Sequence, residues 1–271
     1  MNDLAIIKRK VKEQFGSNAT AYTTSMVHAK GYSLERLVKL ISAHSDWVIL
    51  DVAAGTGHTA FAFAPLASRI IASDITYEML LAAKGEASNR KVTNVRLVVA
   101  DAENLPFTSG YFDLVTCRIA AHHFPDIHRF LEESARVLRP GGLLAIVDNV
   151  IPNSGYPGKQ RILRNTGSYM NAFEKLRDPS HVRCLSPDEW QAALYSVGFR
   201  IMHEEINVKE LDFDEWVDRI GVGEANRTRL EVMLRQAPKE VAEFVAPKHI
   251  GKRIHFSISE ILFIGVLERA N

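Results

Sequence analysis

Apolar residues in this chain gather into short runs, and the stretches between the runs carry helical spacing. Val48, Ile49, Leu50 and Val52 form a run suited to a strand covered on both faces, and it stops at glycines Gly55 and Gly57. The segment after Gly57, H-T-A-F-A-F-A-P-L-A, reads as a helix. Further strands are expected over Arg69 to Asp74, Val95 to Ala100, Phe112 to Cys117 and Leu143 to Asp148. Helices are expected over Tyr77 to Ala87 and over residues 126 to 138. The second of these places Ile127, Phe130, Leu131 and Leu138 on one side, with Asp126 as N-cap. Arg139-Pro140-Gly141-Gly142 then turns the chain into its fifth strand. Strict alternation of β and α predicts a parallel, doubly wound sheet.

Outside that region the pattern loosens. Residues 3 to 14 predict a short amphipathic helix with Leu4, Ile7 and Val11 on one face, its basic residues either forming a solvated face or touching an acidic partner. Residues 15 to 31, rich in small and hydroxyl side chains, read as a connector or a lid, and Leu34 to Ile41 resume helical spacing. After Asn149 the alternation lapses into a loop, a helix over Lys159 to Leu176 and a polar turn. Ser186 and Pro187 open a helix over 186 to 197. A strand over Arg200 to Val208, helical pieces near 213 to 220 and 224 to 236, and an apolar strand from Ile258 to Leu267 complete the chain. The expected organisation is one domain: a helical lid segment over 1–44, a nucleotide-binding core over 45–150, and the rest of the sheet with capping helices over 151–271.

Composition narrows the class. The chain has 271 residues, 46% hydrophobic and 24% charged, enough to bury a large core without staples. Its 33 basic and 32 acidic residues give a formal charge of +1, so no global field favours nucleic acid or an anionic membrane. No run approaches the roughly 20 apolar residues of a membrane span. Cys117 and Cys184 have no metal-ligand spacing, no metal is expected, and a reducing cytoplasm fits best.

The candidate chemistry lies at the strand ends. Gly55 and Gly57 allow positive φ and close approach of a ligand to the main chain. Gly55-Thr56-Gly57 is not a complete dinucleotide fingerprint, because Ala60 stands where the third glycine belongs, which argues against a nicotinamide-dependent oxidoreductase. Three successive strands end in Asp51, Asp74 and Asp101, and an open parallel sheet binds its ligand beyond those ends. Asp74, one helix and one strand beyond the glycine turn, suits the two ribose hydroxyls of an adenosine group; its structural alternative is a cap for the helix starting at Thr76. Asp101 is placed to accept from an exocyclic amine.

These pieces carry a resemblance. L-D-V-A-A-G-T-G at 50 to 57, Asp74, A-D-A-E-N-L-P-F at 100 to 107, Y-F-D-L-V-T-C at 111 to 117 and R-V-L-R-P-G-G-L-L at 136 to 144 resemble the class I S-adenosylmethionine-dependent methyltransferases. Within them the chain looks most like the ubiquinone/menaquinone C-methyltransferase-like group (methyltransferase type 11). The resemblance implies a Rossmann-like sheet of seven strands, mostly parallel with the last strand antiparallel. It also implies S-adenosylmethionine as cofactor, S-adenosylhomocysteine as product and a small organic molecule as acceptor. Backbone at Ala53, Gly55 and Gly57 would meet the methionine part, with Asp51 and Thr56 in the same cofactor site. Asp74 would bind the ribose, Ile75 and Ala102 would pack on the adenine, and Asp101 would accept from its amino group. Ala53 departs from the glycine usual at that place.

Transfer from a sulfonium needs an aligned nucleophile and, for an acidic one, a base. His122 and His123 are the candidate bases; the structural alternative is that one caps the next helix and the other bonds within the wall. Arg118 either positions an anionic substrate or the cofactor carboxylate, or pairs with a local acid. Tyr22 and His28 are candidates to close over the site. Asp178, His181 and Arg183 are either substrate contacts or a satisfied surface turn. A noncatalytic cofactor-binding protein is the rival function. An RNA methyltransferase is a third, disfavoured by the neutral charge.

Overall fold

The computed structural model describes residues 3–23, 31–153, 160–251 and 253–268. Helices α1 (Asp3–Thr23) and α2 (Tyr32–Leu40) precede the sheet. There follow β1 (Val48–Val52), α3 (His58–Phe63), β2 (Arg69–Asp74), α4 (Tyr77–Asn89), β3 (Val95–Val99), β4 (Phe112–Arg118), α5 (Ile127–Val137) and β5 (Leu138–Val150). Beyond them come α6 (Gln160–Arg177), α7 (Pro187–Ser196), β6 (Phe199–Asp212), α8 (Phe213–Asp218), α9 (Glu224–Arg235), α10 (Lys239–Val245), β7 (Lys248–Ile250) and β8 (Arg253–Leu267).

The strands lie in the order β3-β2-β1-β4-β5-β8-β6, with the three-residue β7 paired to the start of β8. The first five are parallel, and β8 runs antiparallel to both β5 and β6. The sheet therefore has eight strands; the one beyond the expected seven is β7, a lysine–histidine–isoleucine stretch whose length and polarity give no strand period.

Alternation along the inner strands divides the core into two layers. Leu50, Val115, Leu144 and Ile146 pack on one face with Phe130, Leu131, Trp190 and Leu194 from α5 and α7. Ile49, Ala145 and Val147 pack on the other with Leu37 and Phe63 from α2 and α3. A third cluster, built from Met170, Phe173, Trp216, Val217, Leu230 and Phe256, joins α6, α8 and α9 to β8, with the Phe173 and Trp216 rings stacked at 5.0 Å. It fixes the C-terminal helices as a cap beside the sheet.

Local signals place the helix starts. The Asp126 carboxylate accepts from the Arg129 backbone N–H at 2.9 Å, capping α5. Ser186 and Glu189 form a reciprocal capping box on α7. Several elements differ from the sequence expectation: β6 extends to Asp212, β8 begins at Arg253, and α10 was not expected. β5 begins at Leu138, so the Arg139–Gly142 turn sits inside the strand as an irregularity opposite Phe112 and Leu114. α1 runs to Thr23, so residues 15–23 are helix and not connector. Ser17 and Asn18 bond back to carbonyls one turn earlier, at 3.0 and 2.8 Å, and Ala19 is buried, so packing overrides weak helix propensity. α1 lies against α4, across the strand ends.

Candidate active site

β1 delivers its last residues to a tight turn. Ala53 has φ 52°, an uncommon value for a residue with a side chain. Gly57, with φ 86°, could not become alanine unaided: a Cβ there would meet the Phe61 ring at 2.8 Å. The turn is tied to β2, because Ala54 N–H donates to the Ser73 carbonyl at 2.9 Å and Gly55 N–H to Asp74 Oδ2 at 2.8 Å. The other Asp74 oxygen accepts from Thr76 N–H at 2.8 Å. Burial raises the Asp74 carboxyl above its ordinary value, and these two amides work against the rise.

Asp51 lies beneath the same turn. It accepts from Thr116 Oγ1 at 2.7 Å and from the Ala60 backbone N–H at 3.1 Å. Full burial pushes its carboxyl up to about 7, against the Thr116 hydrogen bond and the field of Arg118. Arg118, at the end of β4, donates from Nε to Thr59 Oγ1 at 3.1 Å. Asp101, just past β3, accepts from Glu103 N–H at 3.0 Å and from Lys8 Nζ at 2.6 Å, and Lys8 also pairs with Glu103.

These groups line a cleft of about 1020 Å3, open mouth included. Its walls include Asp51, Ala53, Gly55, Thr56, Asp74, Ile75, Asp101, Ala102 and Arg118, all expected from the sequence. Gly57 stands just behind it as the N-cap of α3. The roof comes from α1, which presents Lys8, Val11, Phe15 and Tyr22. His58 Nε2 and the Tyr22 carbonyl, 3.1 Å apart, pin that roof to α3.

A second chamber of about 670 Å3, open mouth included, adjoins the first, and Phe15, Tyr22, Ile119 and His123 line both. Ile119 adopts φ 55°, a costly conformation for a β-branched residue, at the place where β4 delivers the chain to this shared wall. Inside the second chamber His122 Nδ1 and Asp148 Oδ1 are 2.5 Å apart, and the His122 backbone N–H donates to Asp148 Oδ2 at 2.8 Å. Burial opposes a charge on His122, but the adjoining Asp148 carboxylate outweighs it and raises the imidazole above its ordinary value. With Nδ1–H donating to Asp148, the lone pair of neutral His122 resides on Nε2.

His123 behaves oppositely. Burial, and then the His122 charge, lower it to about 4, so it is neutral near pH 7. Its Nδ1 lies 3.2 Å from Ser180 Oγ, whose proton goes to Asp178 at 2.5 Å, and its ring meets Phe15 edge-on at 4.9 Å. Burial, followed by the two neighbouring histidines, lowers His181 to about 2; its Nε2 lies 3.0 Å from Asn171 Oδ1. Asp178 and His181 thus sit in the chamber wall. Arg183 does not: its side chain pairs with Glu189 at the surface, while the Val182 and Arg183 backbone amides donate to the His122 carbonyl. His28 lies outside the described residues.

The sequence reading missed Lys8, Glu103, Asp148, Asn149, Glu174, Arg177 and Arg219, all of which line one chamber or contact a residue that does. Asp148 had a usable signal, since it ends the apolar run of β5 as Asp51 and Asp74 end theirs.

The apolar slot between Ile75, Met79 and Ala102, with carboxylates at Asp74 and Asp101 and an amide-rich glycine turn beyond, fits an adenosyl group joined to an amino acid. Comparison with known proteins agrees. The Methyltransferase domain family matches residues 50–146. The uncharacterized methyltransferase YcgJ of Bacillus subtilis is 34% identical over 93% of this chain and 97% of its own, and its crystal structure superposes with a TM-score of 0.80 over 88% of this chain and 99% of that one. A putative methyltransferase from Bacillus halodurans, 32% identical, also has a TM-score of 0.80, over 88% of this chain and 100% of its own. A demethylmenaquinone methyltransferase from Deinococcus radiodurans is 30% identical over 72% of this chain and 87% of its own. The chain belongs to the S-adenosylmethionine-dependent methyltransferases.

Proposed function

We propose that this enzyme methylates a small organic acceptor held in the second chamber, with His122 as the general base. The observation that carries the reading is the juxtaposition of two chambers through one shared wall, with a carboxylate–histidine pair in the second.

S-adenosylmethionine, when bound, supplies a methyl group already activated on a sulfonium sulfur. Asp74 would hold the ribose hydroxyls, Asp101 the adenine amine, and Ile75 and Ala102 the adenine faces. The turn at Ala53, Gly55 and Gly57, with Thr56, Asp51 and Arg118 near it, would hold the amino acid end. The protein's remaining work is alignment, exclusion of water and removal of a proton. α1 serves the second of these by closing the cleft with Phe15 and Tyr22. His122 serves the third: Nε2 takes the proton of an acidic acceptor, and Asp148 stabilises the imidazolium that results. His123, neutral at physiological pH, stands in the wall shared by the two chambers without adding charge to it. In the overall displacement the acceptor–methyl bond forms as the methyl–sulfur bond breaks, the electron pair stays on sulfur, and the acceptor's proton leaves through His122.

The test is transfer of a labelled methyl group from S-adenosylmethionine into a fractionated bacterial extract. Label in the small-molecule fraction, lost in His122→Asn, supports the reading. Label in RNA or protein, or none in any fraction, overturns it.

A further inference from the structure

Charge in the second chamber is unevenly partnered. Arg177, the last residue of α6, donates from Nε and Nη2 to the Trp216 carbonyl at 3.1 and 2.9 Å, and its guanidinium lies 4.4 Å from the centre of the Trp216 ring. These contacts fix its plane and leave Nη1, whose nearest carboxylate is Glu174 at 4.0 Å. Arg219, just after α8, makes no side-chain hydrogen bond or ion pair among the described residues, although it lines the chamber and is only partly exposed. The third cation of the wall, Lys209, is bound to Glu260 at 2.8 Å. Of the acids, Asp148 is engaged by His122 and Asp178 by Ser180. Burial pushes the Glu174 carboxyl above its ordinary value, which weakens it as a counterion to Arg177. Burial, and then Arg177, lower Arg219, so the two guanidiniums feel one another in a partly dry space.

Two guanidiniums lining one chamber, one held rigid and one without a side-chain partner among the described residues, suit a planar oxyanion, which the guanidinium fork matches with paired hydrogen bonds. Both stand at the carboxyl ends of their helices, where the carbonyl end of the helix favours the cationic side chain. The apolar lining between them and the histidines, from Leu211, Trp216 and Ile258, accommodates a hydrocarbon or aromatic body.

Resting on the reading of the second chamber as the acceptor site, we propose that the acceptor is a small organic acid whose carboxylate is bound by Arg219 and Nη1 of Arg177. The carboxylate end then anchors the molecule on the cap, and its nucleophilic end is left toward His122 and the shared wall. Asn149 Oδ1, buried and without a partner among the described residues, is an acceptor on the same wall for a hydroxyl or amine of that molecule.

The experiment is calorimetric titration of the S-adenosylhomocysteine-loaded protein with benzoate and phenylacetate, each against its neutral amide, in wild type, Arg219→Met and Arg219→Lys. The expected result is binding of at least one acid in wild type, weakened about tenfold or more in its amide, as loss of a charged hydrogen bond requires. Arg219→Met abolishes that difference, Arg219→Lys keeps part of it, and both variants bind S-adenosylhomocysteine as wild type does, which shows that they fold. If S-adenosylhomocysteine binds but acids and amides bind alike, or neither binds, the proposal is overturned. If S-adenosylhomocysteine itself fails to bind, the cofactor reading falls and takes the proposal with it.

Discussion

Lys8 and Asp101, 93 residues apart in sequence, meet at 2.6 Å across the mouth of the cofactor cleft. The ammonium reaches from α1 to the end of β3 and also contacts Glu103, so the first helix is fastened to the sheet at the acid assigned to the adenine amine. Asp101 and Glu103 raise the Lys8 ammonium above its ordinary value despite the opposing effect of burial, as expected of a bridged cation.

Replacing Lys8 with methionine keeps the helix and removes the fastening. The expected outcome is faster release of S-adenosylhomocysteine by several-fold, the scale of a partly exposed ion pair worth about 1 kcal/mol. Stopped-flow displacement measures it. An unchanged release rate would mean that α1 is held by its packing on α4 alone.

Because Asp148 raises His122, the base form prevails only above a pH higher than the usual imidazole value of about 6.5. Turnover is therefore expected to rise with pH through a limb above 6.5. In Asp148→Asn the limb moves to lower pH while the rate falls roughly 10–100-fold, since the imidazolium loses its partner. A pH–rate profile of kcat/KM with the identified acceptor decides it; a limb unmoved by Asp148→Asn contradicts the role given to His122.

Asp51 has a folded-state value of about 7, while its unfolded value is near 3.9. The native chain therefore holds this proton where the unfolded chain has lost it, so the group destabilises the fold progressively as pH rises from about 4 to about 7. Asp51→Asn removes the charge and keeps one of the two acceptor oxygens that serve Thr116 and the Ala60 amide. Relative to wild type it should gain roughly 2 kcal/mol or more in urea unfolding at pH 8 compared with pH 4. An equal difference at the two pH values would contradict the assignment.

Gly57→Ala places a Cβ 2.8 Å from the Phe61 ring at φ 86°. A loss of about 1–2 kcal/mol in stability follows from left-handed strain, with a further cost from displacing Phe61. Thermal unfolding, with S-adenosylhomocysteine affinity measured alongside, checks it. Unchanged values in both would show that the turn tolerates a side chain.

The parallel half of the sheet was legible because β1, β2 and β4 are buried apolar runs and β1, β2 and the edge strand β3 stop at acids or glycines, so the pattern of residues alone assigns Asp51, Asp74 and Asp101 to one crevice. The second chamber was less legible. His122, Asp178 and His181 were visible as polar residues in short loops, but the direction of Arg183 depends on its pairing with Glu189. Arg177 and Arg219 belong to capping helices whose docking is set by Phe173, Trp216 and Phe256, contacts distant in sequence with no local period. Lys8 lies within a basic stretch of α1, and only the docking of α1 on α4 separates it from Arg9, Lys10 and Lys12.

The central claim, that the cleft beyond β1, β2 and β3 holds the adenosyl cofactor with Asp74 on its ribose, is tested most directly by calorimetric titration of S-adenosylhomocysteine into wild type, Asp74→Asn and Asp74→Ala. Saturable one-site binding in wild type is predicted. It should weaken about 100-fold or more in Asp74→Ala, which loses two charge-assisted hydrogen bonds, and by less in Asp74→Asn, which keeps one acceptor. Absence of binding to folded wild type, or equal binding by Asp74→Ala, would contradict the account.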